Sequence, residues 1–338
     1  MALSRVGVDS YCLTPLRLDP FRLLEWVADR GGEGVQFSEV HLPRGRATDE
    51  TFLRELADVA LGKGMYLEWG GGQHVPFDTA TWRPKDLLPG NRKAAAEARI
   101  LGTDVVRSCS GGFFRWHDDA PPTETLLESM AEALRPQRSV FEDLGVTLGI
   151  ELHFEFTTFE LIRLFEMCEA EPGGWLGICL DTFNMLPMLE DPVLGTERIL
   201  PWVVSTHVKD GALALENEGL LTFPTGVGEG LIDFPAILAL LATSERPINL
   251  SVEDHGGSFR TPFRDKAFRA RFPDVNEDEL ARLVSAARAG EEKGVSGDLA
   301  VTEREDWPSL CEARTQRGIE NLRRLVEDME RRPRGRMK

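Results

Sequence analysis

The chain has 338 residues, of which 42% are hydrophobic and 28% charged, a balance that provides enough apolar side chains for a large core. Its formal charge of −17 creates a negative field that repels phosphate backbones, which argues against nucleic acid as a partner. Acidic clefts instead attract divalent cations. The five cysteines are odd in number and contain no CxxC pair, which is typical of a reducing compartment.

The N-terminal residues Met1 to Tyr11 lack the charged and apolar regions of a secretion signal. No stretch of about 18 uninterrupted apolar residues occurs, so nothing in the sequence predicts a membrane span. We therefore expect a soluble, cytoplasmic protein with no membrane partner.

Short β-type runs alternate with amphipathic helical segments, the pattern that builds a parallel sheet from crossover units. The predicted strands are Arg5 to Asp9, Gly34 to Glu39, Met65 to Trp69, Asp104 to Ser108, Val146 to Leu152, Leu176 to Asp181, Val203 to Val208, and Ile248 to Glu253. Their average spacing is about 35 residues, as an eight-fold barrel requires. The sequence therefore predicts an α/β fold, a (β/α)8 TIM barrel; six strands would instead indicate a doubly wound sheet.

Parallel barrels commonly exceed ~250 residues as one unit, so we expect a single domain over residues 1–338. The segment after strand eight, approximately residues 255–306, is too long for a simple loop and is predicted to be a partly helical insertion. It could cover the barrel mouth, contact another subunit or lie on the surface. A helix over approximately residues 315–329 is predicted to close the barrel.

Helix starts are marked by capping residues. Asp19 precedes Pro20, so aspartate can cap and proline can occupy the first helical position. Thr157 and Glu160 have capping-box spacing, and Asp233 begins a later helix.

Charged residues end the last four predicted strands, where burial would be costly without a partner. In a parallel barrel, strand ends meet at the face that carries the active site. Carboxylates converging there would repel one another unless they shared a cation. An oxygen-rich set with one imidazole suits Mn2+ or Mg2+, with Zn2+ or Co2+ possible. The predicted metal ligands are Glu151, Asp181, His207 and Glu253.

Each of these residues could instead have a purely structural role. Glu151, Asp181 or His207 could serve as a helix cap or form a salt bridge, and Asp254 could replace Glu253 as the ligand. Lys209 could pair with a barrel acid.

All six histidines follow or end predicted strands, and none lies in a predicted helix, which favours a mouth lined by imidazoles. Aromatic residues after strand ends could form apolar walls against a sugar ring, or could simply pack. Arg115, in the run CSGGFFRW, could recognise an anionic group or lie on the surface. The candidate substrate-binding residues are His74, Trp69, Trp116, Asn184 and Arg115.

The ordered runs GIELH, CLDTFN, STHVKDG, VGEGLIDFPAIL and SVED resemble the xylose-isomerase-like barrels, the sugar phosphate isomerase/epimerase superfamily. The resemblance implies the same four ligands, with Glu151 and Glu253 acting as a pair in proton transfer. It also implies that Gly228 to Gly230 shape the loop before the next helix. The departure is Asn184, where many relatives have histidine, which counts against the endonuclease branch. Relatives are often dimers or tetramers, so a homo-oligomer is possible.

The leading hypothesis is an isomerase or epimerase that acts on a sugar or cyclic polyol carbonyl compound by α-proton abstraction through an enediolate. Glu151 and Glu253 are the predicted acid and base, and His153 or Lys209 could supply a further proton. The same intermediate could expel a β-leaving group, so a lyase or dehydratase acting on an oxidised sugar or glycoside is an alternative. A non-catalytic sugar-binding or metal-binding barrel is another.

Overall fold

The structure, a computed structural model, describes residues 5–42, 45–292 and 301–331. Eight parallel strands of this part of the chain close into a barrel in chain order, which confirms the predicted fold. Two further strands form a hairpin between the seventh and eighth barrel strands. The strands are β1 (Val6–Asp9), β2 (Gly34–Phe37), β3 (Tyr66–Gly72), β4 (Val105–Ser108), β5 (Thr147–Glu151), β6 (Leu176–Asp181), β7 (Val203–Val208), the hairpin β8 (Asp210–Leu215) and β9 (Leu220–Thr225), and the last barrel strand β10 (Leu250–Val252).

Helices surround the barrel and bury their apolar faces against it. They are α1 (Pro20–Asp29), α2 (Glu50–Gly62), α3 (Leu88–Leu101), α4 (Thr123–Leu134), α5 (Arg138–Leu144), α6 (Thr158–Met167), α7 (Pro192–Ile199), α8 (Phe234–Leu241), α9 (Lys266–Arg269), α10 (Glu277–Glu292) and α11 (Trp307–Arg331). Within the described ranges, no helix combines the length and apolar character needed to cross a membrane.

The predicted helix starts are confirmed. The side chain of Asp19 accepts hydrogen bonds from the backbone of the first turn of α1, at 3.1 and 3.2 Å. Thr157 and Glu160 form the reciprocal capping box of α6, and Asp233 caps α8. These local signals are reliable because they satisfy helix N–H groups that have no other partner.

Several strand ends differ from the prediction by one to three residues. Strand β3 continues to Gly72, beyond the predicted end at Trp69, because its glycines allow close packing: a Cβ on Gly72 would lie 2.6 Å from Leu148 Cδ1. Strand β2 ends at Phe37. Strand β10 ends at Val252, so Glu253 is the first residue after its strand.

The regions after β7 and β10 were predicted least well. The hairpin β8–β9 was not predicted, and it pairs with β11 (Phe259–Thr261) in a separate antiparallel sheet. Asp210 stabilises the loop after the hairpin by accepting hydrogen bonds from the backbone N–H groups of Gly228 and Gly230, both at 2.9 Å. Of the insertion predicted over residues 255–306, residues 293–300 lie outside the described ranges. Helix α11 begins at Trp307, before the predicted start at residue 315.

Glu190 provides a pH test of the packing between α6 and α7. It is buried, and it accepts hydrogen bonds from Thr158 N at 2.9 Å and from Arg198 Nη1 at 3.0 Å. Burial raises its pKa from 4.5 to about 7. Because the folded-state pKa is the higher one, the contribution of this group to stability is complete below about pH 4.5 and is lost as the pH rises through about 7.

We expect the free energy of unfolding of the wild type, measured relative to Glu190→Gln, to fall by about 3 kcal/mol between about pH 4.5 and pH 8. Denaturant unfolding of both proteins at several pH values measures this difference. A difference that stays constant with pH would show that Glu190 titrates normally.

Candidate metal centre

The four predicted ligands meet at the carboxyl ends of the barrel strands. Glu151 ends β5, Asp181 ends β6 and His207 lies next to Asp181 in the β6–β7 register. The Nδ1 atom of His207 is surrounded by three carboxylate oxygens: Glu151 Oε1 at 3.4 Å, Glu253 Oε2 at 3.8 Å and Asp181 Oδ2 at 4.0 Å. All four side chains are buried. Side chains of the same inward parity on neighbouring strands therefore converge on one point.

This arrangement fits a divalent cation. Glu151, Asp181 and His207 each offer a ligand atom within 4.8 Å of the others. Oxygen and nitrogen ligands lie about 2.1 Å from such an ion and so about 3 Å from one another, which requires only a small contraction of the cluster. Of the converging atoms, His207 Nδ1 is buried without a hydrogen bond from the described residues, and Asp181 Oδ2 and Glu253 Oε2 contact the ammonium of Lys209.

The charges around His207 also suit a bound divalent cation. Four carboxylates, those of Asp9, Glu151, Asp181 and Glu253, lie within 4.0 Å of its ring nitrogens. Two cationic side chains offset them: Arg107 pairs with Glu151, and Lys209 pairs with both Asp181 and Glu253. With a neutral imidazole, four negative and two positive groups leave a formal charge of −2, which one divalent cation would neutralise.

The ion pairs keep the two glutamates ionised. Burial by itself would raise the pKa of Glu253, but Lys209 and His255 lower it to about 2. Burial likewise opposes ionisation of Glu151, but Arg107 and His207 hold its pKa well below the ordinary value. Both groups are therefore carboxylates at neutral pH and can bind a cation or accept a proton.

The ring of His207 is oriented by residues behind it. Its Nε2 faces Gln36 Oε1 in a short hydrogen bond and lies 3.3 Å from Asp9 Oδ2. Gln36 in turn donates through Nε2 to Glu68 at 2.6 Å, which fixes the orientation of its amide. Nε2 of His207 therefore carries the proton, and the lone pair of Nδ1 points at the three carboxylates, as a metal ligand requires.

We expect Gln36→Leu to weaken metal binding by about 10- to 100-fold, because the tautomer and orientation of His207 are no longer fixed. Competition with a metal-binding dye measures the affinity, and Gln73→Leu, at a cavity residue that makes no contact with His207, is the matched control. Equal affinities in the two variants would contradict this role of Gln36.

A cavity of about 540 Å³ opens directly above this cluster. Six of the predicted site residues line it; they are Glu151, Glu253, His207, His153, Lys209 and His74. His153 is held by Glu155, whose carboxylate oxygens lie 3.1 Å from its Nδ1. Asp181 lies just beneath the floor, with Oδ1 fixed by the backbone N–H groups of Phe183 and Asn184.

Comparison with known proteins agrees with this architecture. The sequence model of the xylose isomerase-like TIM barrel family matches residues 24–271. The chain belongs to this family. The 3-oxo-isoapionate decarboxylase of Pectobacterium atrosepticum is 30% identical over 167 residues, which are 48% of this chain and 59% of that protein. The match therefore spans less than two thirds of that relative.

Solved structures share the barrel. The D-psicose 3-epimerase of Clostridium cellulolyticum H10 has a TM-score of 0.57 at 16% identity, covering 86% of this chain and 99% of that one. The probable 3-DHS dehydratase AsbF of Bacillus anthracis has a TM-score of 0.56 at 14% identity, covering 81% and 97%. At these identities the similarity shows the fold alone.

Two aromatic residues predicted to bind substrate do not line this cavity of the xylose isomerase-like barrel. Trp69 points outward from β3, where its Nε1 donates to Glu97 of α3 at 3.0 Å. The reason is strand parity: Glu68 faces the barrel interior, so its neighbour must face the helices. Trp116 donates to the backbone oxygen of Arg260 at 2.8 Å and borders a separate groove.

Two polar residues of the predicted substrate set have structural partners instead. Arg115 is buried in an ion pair with Glu160 and also donates to the backbone oxygen of Arg271, so its guanidinium has no access to the cavity. Asn184 is buried and donates to Leu152 O at 3.0 Å, linking the loops after β5 and β6. Neither side chain borders the cavity above the cluster.

Sequence reasoning missed three residues of the cluster: Asp9, Gln36 and Arg107. Each faces inward near the carboxyl end of β1, β2 or β4. The signal was present, because Asp9 and Arg107 are charged residues in otherwise apolar strands. The strand-end rule gave candidate ligands on strands five to eight; extended to strands one to four, it would have found Asp9, which ends β1, and brought Arg107 and Gln36, each one residue before a strand end, into consideration.

Proposed function

We propose that this chain is a divalent-metal-dependent isomerase or epimerase that acts on a sugar or cyclic polyol carbonyl compound by α-proton abstraction through an enediolate. The observation that carries the proposal is the convergence of Glu151, Asp181, His207 and Glu253 beneath a cavity large enough for a sugar. The similarity in fold to a D-psicose 3-epimerase supports it. Mn2+ or Mg2+ suits this oxygen-rich set best, with Zn2+ or Co2+ possible.

Glu151 and Glu253 are suited to proton transfer. A bound divalent cation would polarise the substrate carbonyl and stabilise negative charge on the enediolate oxygens. Both glutamates stay ionised next to their cationic partners, so either can accept the α-proton. Glu151 ends β5 and Glu253 directly follows β10, and β6 and β7 lie between these two strands in the barrel. Epimerisation requires an acid and a base, and two carboxylates on separate strands can supply one each.

Lys209 and His153 are the proposed auxiliary groups. The ammonium of Lys209 lies 3.0 Å from Asp181 and contacts Glu253, so it can donate a hydrogen bond to a substrate oxygen next to the base. His153 also lines the cavity, where Glu155 fixes its ring through Nδ1. Its other nitrogen, Nε2, makes no hydrogen bond with the described residues, so it can exchange a proton or a hydrogen bond with substrate.

The test is solvent exchange. Metal-loaded protein is incubated in D2O with a panel of ketoses, cyclic polyol ketones and their oxidised derivatives. We expect deuterium at the α-carbon of one substrate class, together with an epimer or isomer of unchanged carbon skeleton. The absence of deuterium incorporation and of product across the panel would reject the proposal.

A lyase acting on an oxidised sugar is the second candidate. The specific observation in its favour is the cationic character of the cavity, which is lined by Lys85, Arg107, Lys209 and Arg304. Cations suit an anionic substrate, and the names of a decarboxylase and a dehydratase among the similar proteins point to elimination or decarboxylation. Release of water, CO2 or an aglycone in the same assay would favour this candidate over isomerisation.

We further propose that residues 1–338 form one domain, and that the protein is cytoplasmic and assembles as a dimer or tetramer. Size-exclusion chromatography with light scattering measures the assembly directly. Limited proteolysis tests the domain, since a second independently folded unit would survive as a stable fragment.

A further inference from the structure

One wall of the cavity, formed by the ends of β3, β4 and β5, holds buried nitrogen atoms that have no hydrogen-bond partner among the residues of the described ranges. They are Nε of Arg107 and Nε2 of His74. Arg107 is 9% exposed and His74 1% exposed, so water cannot solvate them freely. Buried polar groups in native proteins are almost always satisfied, so this wall lacks a partner that the protein itself does not supply.

The free edge of Arg107 has a defined shape. Its Nη1 is used by Glu151, whereas Nε is unpartnered and Nη2 has no hydrogen bond to the described residues. Nε and Nη2 form one side of the planar guanidinium, with two parallel N–H groups. That fork matches the two oxygens of a carboxylate.

His74 borders the same cavity as Arg107 and can act as a donor. Its Nδ1 lies 2.7 Å from the hydroxyl of Ser108, the residue that follows Arg107 on β4. Burial lowers the pKa of His74 to about 4, so the ring is neutral at physiological pH. The Ser108 hydroxyl can donate to Nδ1, which places the ring proton on the unpartnered Nε2.

The acidic groups of this wall already form hydrogen bonds or ion pairs with other residues. Glu155 accepts from the backbone N–H of Gly112 and from the Ser110 hydroxyl, and it holds His153. Glu151 is shared between Arg107 and His207. At the cavity mouth, Lys85 has no ion-pair partner within residues 5–42, 45–292 and 301–331, and it adds positive potential next to His74.

We propose that Arg107 and His74 bind a carboxylate of the substrate, so that the substrate is a sugar acid rather than a neutral sugar. The inference rests on the proposed function, because it places this carboxylate beside the carbonyl carbon that the Glu151–Glu253 centre would act on. The fork of Arg107 takes both carboxylate oxygens, and His74 donates a further hydrogen bond through Nε2. The buried donors are then satisfied only in the complex.

The test compares two ligands that differ in charge at one carbon. Xylonate and xylitol have the same five-carbon polyhydroxy chain, and calorimetry measures their binding to Mn2+-loaded protein. We expect xylonate to bind at least about tenfold more tightly, the ratio that one charge-assisted hydrogen bond supplies. Because xylonate could also bind the cation directly, variants of the wall decide the origin of the preference.

Arg107→Met should weaken xylonate binding by at least about tenfold and leave xylitol binding within about threefold. Arg107→Lys, which keeps the charge but loses the fork, should give an intermediate value. His74→Leu should weaken xylonate binding several-fold, and His74→Gln, which keeps an N–H donor, should restore part of it. Bound Mn2+ is measured in each variant, since Arg107 contacts Glu151; His74 has no such contact and supplies the independent test.

Lys93→Met is the matched control, because Lys93 is an exposed cation on α3 that does not border this cavity. Equal losses in Lys93→Met and Arg107→Met, or equal affinities of wild type for xylonate and xylitol, would overturn the proposal. Displacement of xylonate by inorganic phosphate at lower concentration than by acetate would also overturn it, in favour of a phosphate subsite. Failure of the proposed function gives a different result from failure of this inference. In that case xylonate binding would still depend on Arg107, but no sugar would exchange its α-proton.

Discussion

Replacing Glu253 with glutamine is expected to slow α-proton exchange by about 10³-fold or more, within the range that a positioned general base contributes. The amide cannot accept the proton, although its oxygen can still approach a cation. Because Lys209 keeps Asp181 as a partner at 3.0 Å, the fold should remain intact. The exchange rate is measured by NMR in D2O, and denaturant unfolding should show a loss of less than about 2 kcal/mol.

Glu39→Gln is the matched control for this prediction. Glu39 lines the same cavity but is exposed and forms no ion pair with the described residues, so the same chemical change there should alter exchange less than about threefold. Wild-type exchange rates in Glu253→Gln would contradict the assignment of Glu253 as acid or base. A comparable loss in both variants would indicate a general effect of cavity charge.

Removal of the metal is expected to abolish exchange and to lower the melting temperature. Without a cation, the carboxylates around His207 are offset only by Arg107, Lys209 and a protonated imidazole. At a free concentration of about 100 times Kd, rebinding should stabilise the folded state by about 2.7 kcal/mol, a rise in melting temperature of a few degrees. Chelator dialysis followed by titration with Mn2+, Mg2+, Co2+ and Zn2+ measures both effects.

Asp181→Asn should remove most of this thermal response, because Asp181 contributes a buried carboxylate oxygen to the cluster, and an amide in its place has no negative charge to attract the cation. Asp78→Asn, at an exposed acid that lines the same cavity, is the control and should respond like the wild type. Elemental analysis should find one ion per chain in the control and in the wild type. A wild type that binds no ion and gains no stability would show that the cluster is an ion-pair network around a charged His207.

The candidate centre could be predicted because its ligands share one simple property. Glu151 and Asp181 end their strands, His207 is the last residue but one of β7, and Glu253 directly follows β10. In a parallel barrel all such ends lie on the same face, so position along the strand was sufficient to bring them together. The same reasoning was insufficient for Trp69, because a strand end fixes the face of the barrel but not whether the side chain points inward or outward.

Partners that are distant in sequence could not be predicted in the same way. Arg115 was expected to meet an anionic group, and it does pair with an acid, but that acid is Glu160 in the helix layer. Arg107, eight residues earlier, occupies the position in the cavity instead. Which of two nearby arginines enters the barrel depends on the register of β4 against β5, where Arg107 lies opposite Gly149 and so has room to reach Glu151.

The sequence by itself determined the alternation of strands and helices, the capped helix starts and the acids and imidazole at the strand ends. These follow from local periodicity and from the hydrogen-bonding needs of a few neighbouring residues. Only the tertiary structure decided which side chains share the cavity, that Gln36 orients His207 across 171 positions, and that Arg107 and His74 hold unpartnered donors. Barrel closure and strand register set those distances, and they depend on packing over the whole chain.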